Sequence, residues 1–99
     1  MKTYLVTYDL NKEGASYTKA NELVIKAIKA AGSCIHCLTT TYVVRSNYTT
    51  ATQLSDFIRK NMDSNDHLLV TQLCNDRNGW LPQVKWDFIN ASPACRTCN

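Results

Sequence analysis

A chain of 99 residues with 44% hydrophobic and 19% charged side chains suits one globular domain with a single core, and it excludes a chain disordered as a whole. No apolar run approaches the roughly 20 residues of a membrane span, and the start lacks a charged n-region followed by an apolar h-region, so a cytoplasmic protein with no membrane role is expected. The formal charge of +3 is too small to mark a nucleic-acid binder by itself. Its excess lies in the first half, where Lys2, Lys12, Lys19, Lys26, Lys29 and Arg45 face only Asp9, Glu13 and Glu22.

Residues 2–10 read as a half-buried strand, with Tyr4, Val6 and Tyr8 on one face and Leu5 and Thr7 on the other. Asp9 ends the run and brings a carboxylate to the strand mouth, where acids hold metals or meet ligands. After a polar turn, an amphipathic helix is expected over 17–31. Ala20, Leu23, Val24, Ala27, Ile28 and Ala31 form its buried stripe, and Lys19, Glu22, Lys26 and Lys29 lie outside. Ser16 suits the N-cap, Glu22 and Lys26 an i,i+4 ion pair, and Gly32 a left-handed stop.

Residues 33–46 are rich in Thr, Val and Tyr and too long for one ordinary strand, so they divide into two near Thr39 and Thr40. A second helix follows over 50–62, opened by the capping box Thr50-x-x-Gln53, with Ala51, Leu54, Phe57, Ile58 and Met62 inward. The polar knot 63–66 closes it. Residues 67–74 form a last strand whose two partly apolar faces suggest a place inside the sheet. Beyond the turn 75–79, Trp80, Val84, Trp86, Phe88 and Ile89 carry more apolar surface than a tail needs. Pro82 fits the first turn of a short helix that folds over an edge or reaches a partner.

The order strand, helix, strand, strand, helix, strand predicts an α+β, ferredoxin-like βαββαβ domain over 1–90. Two helices cover one face of a four-stranded antiparallel sheet, with a C-terminal appendage and a flexible tail over 91–99. The other face then needs a tail, a second subunit or a ligand.

The cysteines include Cys34-Ile-His-Cys37 and Cys95-Arg-Thr-Cys98, a spacing that invites zinc. Strand residues three apart point to opposite faces, so Cys34 and Cys37 do not converge on one ion, and buried thiols are expected instead of zinc, with a redox or disulfide role as the other alternative.

The stretches "YLVTYDL", "TTYVVRS", "SNDHLLVTQL" and "GWLP" followed by an aromatic helix resemble a superfamily over about residues 3–90. Its members are the small CRISPR-associated proteins forming the central dimer of the spacer-integration complex, the virulence-associated protein D toxins, and SinR-like proteins. The resemblance implies a homodimer built sheet against sheet, with the acid of the first strand facing its twin. It makes Asp9 the matching catalytic residue and metal ligand for a divalent ion, magnesium or manganese, in phosphodiester cleavage of DNA or RNA. The chain departs from the nuclease-like pattern. Asn11-Lys-Glu-Gly-Ala-Ser16 stands where relatives carry Arg-rich residues, and Thr41-Tyr-Val-Val44 where they carry Ser-Val-Phe.

Two functional readings stay open. One is a divalent-metal-dependent endonuclease, with Asp9 as ligand, Tyr8 and Asn11 shaping the site, and His36 and His67 as candidate bases. The other is a non-catalytic dimer that binds nucleic acid or a protein, or serves as a small regulatory or inhibitory protein. It would act through phosphate contacts at Lys12, Lys19, Lys26 and Arg45, through base stacking on Tyr4, Tyr8 and Tyr42, or through the Trp80, Trp86 and Phe88 segment.

Overall fold

The computed structural model describes residues 1–93. In chain order it contains β1 (Lys2–Asp9), α1 (Gly14–Ala31), β2 (Gly32–Leu38), β3 (Thr41–Ser46), α2 (Ala51–Arg59), β4 (His67–Gln72) and α3 (Gln83–Asn90). The strands lie in the order β2-β3-β1-β4, every neighbouring pair antiparallel. This is the expected ferredoxin-like α+β arrangement, with a third helix added. Among the described residues no helix is long and apolar enough to cross a membrane.

Alternation along β1 sorts the core into two layers. Tyr4, Val6 and Tyr8 join Tyr42 and Val44 of β3 against Val24 and Ile28 of α1 and Leu54 and Ile58 of α2. The tyrosines therefore lie beneath the helices. Tyr4 donates to the Tyr48 carbonyl at 2.8 Å and Tyr8 to Asn21 Oδ1. Burial pushes the Tyr8 hydroxyl up to about 12, with Tyr42 and Tyr17 adding to the shift. Neither base stacking nor a dimer core is open to Tyr4, Tyr8 or Tyr42.

On the opposite face, α3 lies across part of the sheet. Trp86, Phe88 and Ile89 pack with Leu5, Ile35, Cys37 and Val43. Arg45 fastens the helix: its Nε donates to Ser92 Oγ at 2.6 Å, its Nη2 to the Phe88 carbonyl at 3.0 Å, and its guanidinium sits 3.9 Å above the Phe88 ring. The C-terminal segment thus folds back over the sheet, as its apolar content and Pro82 suggested. Trp80 does not join it and stands in solvent.

Local signals placed the elements, and the structure corrects several details. The first helix begins at Gly14, not at residue 17, and Glu13 takes the N-cap place of Ser16 without a side-chain cap bond. Gly14 adopts φ +59, which glycine tolerates for want of a Cβ. Leu23 sits at the rim of the helix stripe and stays exposed, and no ion pair joins Glu22 to Lys26 among the described residues. The second helix ends at Arg59, with Met62 packing on the core from the following turn. Its capping box closes in a shifted form: Thr50 accepts from the Gln53 amide, while Gln53 Oε1 reaches back to the Thr49 amide at 2.9 Å.

Gly32 is not a left-handed stop. Its φ of 161° is extended, and helix passes into strand with no loop residue between. The last correction concerns β4, an edge strand and not an interior one. On the face away from the helices α1 and α2, outside the cluster under α3, its Leu69 is 59% exposed. The two-residue turn Thr39-Thr40 falls where the long threonine-rich run was divided.

Cys34 packs into the helix-side core and Cys37 into the α3-side core, so the two thiols point to opposite faces of β2. Burial pushes both thiols up. Cys95 and Cys98 lie outside the described residues, as does most of the predicted tail.

Candidate functional site

The C-terminal end of β1 and the N-terminal end of β4 meet because these strands pair antiparallel, and that register sets Asp9 opposite His67. Directly paired residues of such strands hold their Cβ atoms about 4.5–5.5 Å apart on one face. Both side chains are exposed, on the face opposite α1 and α2, beyond the part of the sheet that α3 covers. Two shallow depressions border this pair. One of about 240 Å³ runs past Thr7 and Leu69, and one of about 440 Å³ past Asn11, Ser64 and Asn65.

Among the described residues the Asp9 side chain makes no hydrogen bond and no ion pair. A strand-end aspartate usually bonds to a nearby backbone amide, and Asp9 does not. The nearby cation is held elsewhere. Lys12 Nζ binds Asp66 at 2.8 Å and Asp63 at 3.0 Å, and Asp66 also accepts the amides of Asn11 and Asp63 at 2.9 Å each. Lys12 thus ties the β1–α1 turn to the α2–β4 turn and leaves Asp9 uncompensated.

The Asp66 side chain is only 1% exposed. Burial pushes its carboxyl up, but the Lys12 ammonium and the amides of Asp63 and Asn11 outweigh this, so it titrates below the usual 3.8. The same contacts with Asp66 and Asp63 hold Lys12 above 10.5. The sign of the linkage follows. The Asp66 contribution is present above pH 3.8 and disappears as pH falls through its depressed value, while that of Lys12 is present below pH 10.5 and disappears as pH rises through its raised one. Asp66→Asn is therefore expected to lower the melting temperature by several degrees at neutral pH and to flatten the acid limb of a plot of melting temperature against pH. An unchanged acid limb, measured by circular dichroism from pH 2 to 7, would show that this knot does not govern acid stability.

The remaining predicted residues separate. Tyr8 sends its hydroxyl to the helix-side core, away from the Asp9 carboxylate, and meets the site only in the wall of the smaller depression. Asn11 borders the larger depression, with its amide committed to Asp66. His36 stacks on Tyr42 at 4.6 Å and bonds the Thr39 carbonyl through Nε2, on a strand separated from β1 by β3. Of the proposed phosphate-binding set, Lys12 and Lys19 border one depression, while Arg45 lies on the opposite face of the sheet. Lys12 is ion-paired, Arg45 is engaged with α3, and only Lys19 and Lys26 stand free on the outer side of α1.

Asp63, Ser64, Asn65 and Asp66 border this end of the sheet, although in sequence they read only as a helix stop. The available signal was topological: in a βαββαβ chain the turn before the last strand lies beside the turn after the first.

Among the described residues no three His, Cys, Asp or Glu side chains gather as a metal set. Among the described residues a single chain brings one carboxylate, Asp9, and the His67 imidazole to this mouth, too few for a divalent cation. A two-fold pair would bring a second carboxylate, with water completing the shell.

No family model matches the chain, and no curated protein does. A solved structure, that of a hypothetical protein from Thermus thermophilus, is similar at a TM-score of 0.58 and 15% identity, covering 82% of this chain and 94% of its own. At that identity the likeness shows the fold alone, the same ferredoxin-like arrangement that brings Asp9 beside His67.

Proposed function

We propose that the chain acts as a homodimer on nucleic-acid phosphodiesters, with the two Asp9 carboxylates facing one another across the two-fold and sharing one divalent cation. The observation that carries this reading is the free, exposed carboxylate of Asp9 on the face of the sheet left open, beside the imidazole of His67. An anion on a surface that also displays Leu69 and Thr7 is costly to cover unless a cation accompanies it. Magnesium or manganese suits the oxygen donors and, when bound, supplies charge neutralisation at the phosphate and a more acidic water.

The residues of the chain do the rest. Asp9 positions the cation, and His67 stands close enough to hold or accept a proton from water at the same mouth. Lys19 and Lys26 lie on the helix layer, which a sheet-to-sheet dimer turns outward, where they would contact phosphates without base specificity.

The test is cleavage of single-stranded RNA and of double-stranded DNA by the purified protein, with magnesium, manganese or chelator. Cleavage that requires the metal supports the reading. Binding that fades between low and physiological salt, with no cleavage under any metal, would replace it with the non-catalytic platform.

A further inference from the structure

Trp80 is 99% exposed, the least covered of the large apolar side chains among the described residues. Its loop is nevertheless tied down. Arg77 donates to the Cys74 carbonyl at 2.8 Å and reaches the Ile89 carbonyl and Asn90 Oδ1 at 3.4 and 3.3 Å, bracing the segment between β4 and α3 against the end of that helix. A large aromatic held on a braced loop in water forgoes the roughly 150–250 Å² of burial such a ring normally gains.

Next to it, between α3 and the sheet, runs a groove of about 240 Å³, with Leu5, Val43 and Leu73 along the sheet, Leu81 and Trp86 along the C-terminal segment, and Leu38 at the rim. It is apolar and has room for one indole. Arg77 borders it with a buried Nε that has no hydrogen-bond partner, and no carboxylate among the described residues pairs with that guanidinium. The occupant this combination favours is a flat apolar ring whose electron-rich face meets the cation. Asn78 and Leu81, on either side of Trp80 in sequence, line the groove, yet the chain's own indole stays outside.

We propose that in the homodimer each subunit's Trp80 docks in the groove of the other. A two-fold operation answers both features at once, because an isologous contact offers the same knob and the same hole twice. The groove opens on the face that carries Leu5 and Thr41, so the exchange belongs to the same sheet-to-sheet assembly. Two buried indoles supply on the order of 300–500 Å². A stable interface needs about 1,200–2,000 Å² in total, so the rings form its centre. Leu38 and Val84, 58% and 64% exposed, surround that centre with further apolar surface. The inference rests on the homodimeric part of the function proposed above and not on the chemistry at Asp9.

The experiment is sedimentation equilibrium of the wild type, Trp80→Ala and Leu38→Asp, with circular dichroism as a check of folding. Acrylamide quenching of the wild type is then measured across the dimer concentration range, with Trp80→Ala supplying the emission of Trp86 alone so that the difference reports Trp80. Both substituted side chains are exposed in the monomer, so both variants fold. The expected result is a wild-type dimer, a dissociation constant raised at least ~30-fold by either substitution, and Trp80 emission that shifts to shorter wavelength and resists quencher as the dimer forms. A dimer that persists in both variants, with Trp80 freely quenched, overturns the exchange and leaves the dimer standing. A wild-type monomer at every concentration overturns both.

Discussion

Gly32→Ala is expected to leave the protein unable to hold its fold at ordinary temperature. Backbone conformation is not the reason, since Gly32 is extended and any residue adopts that shape. Space is the reason. A Cβ at this position would lie 1.7 Å from the Arg45 carbonyl oxygen, 2.8 Å from its carbon and 3.3 Å from the Ser46 Cα, all backbone atoms that no rotamer change moves aside. Gly32 pairs with Ser46, and Ser46 pairs in turn with Lys2 of β1, so relief at one point must open the β2–β3 ladder or push α1 off the sheet. Ordinary overpacking costs about 1–3 kcal/mol, whereas a backbone clash of this depth belongs with the exceptional losses above roughly 4 kcal/mol.

Against a total stability of about 5–15 kcal/mol, such a loss lowers the melting temperature by at least ~15 °C or prevents folding. Gly79→Ala is the matched control. There the added Cβ meets only Trp86 Cζ2 at 3.8 Å, an ordinary contact, and the melting temperature should stay within a few degrees. A Gly32→Ala protein that melts close to the wild type by circular dichroism would mean that β2 and β3 are not seated as closely as described.

What the sequence disclosed follows from which forces are local. The period-2 pattern of β1, the stripe on α1 and the Thr50–Gln53 box are short-range signals, and they placed the elements and their order. Alternation told that Tyr4, Val6 and Tyr8 share a face, but it is symmetric between faces and says nothing of which one the helices cover. The apolar run of β4 read as interior because hydrophobicity on both faces has the same appearance in a central strand and in an edge strand with one face left uncovered. Its edge position is a property of the whole topology.

Charge partners were the least legible. Lys12 and Arg45 read as free cations because Asp66 lies 54 residues beyond the first and Ser92 47 beyond the second, distances that only the folded chain closes. The same holds at the site. Asp9 stood out as the break in a strand pattern, whereas His67 became its neighbour only through the β1–β4 register.

Asp9→Asn is expected to remove metal-dependent cleavage while leaving the molecule otherwise intact, a separation that few substitutions in so small a domain permit. The carboxylate is exposed and makes no hydrogen bond or ion pair among the described residues, so its loss takes nothing from the fold. Surface changes of this kind stay within about 0.5 kcal/mol, and the melting temperature should move by no more than a few degrees. Activity has no such tolerance. In a two-fold dimer one substitution deletes both carboxylates, and asparagine keeps an oxygen in place but supplies no charge to a hard cation. Outer-shell partners of metal ligands are worth about 10–100-fold, so loss of the ligands themselves should cost at least ~100-fold in rate.

Affinity for nucleic acid should hold or rise slightly, because a negative charge has been removed and the free lysines of α1 are untouched. His67→Ala provides the second arm: cleavage slowed with the metal requirement unchanged would give His67 the proton-handling role, and cleavage unaltered would leave Asp9 alone at the mouth. Full activity in Asp9→Asn, measured on the same RNA and DNA at saturating magnesium or manganese, would remove the carboxylate from the chemistry. The open sheet would then serve only as a contact surface.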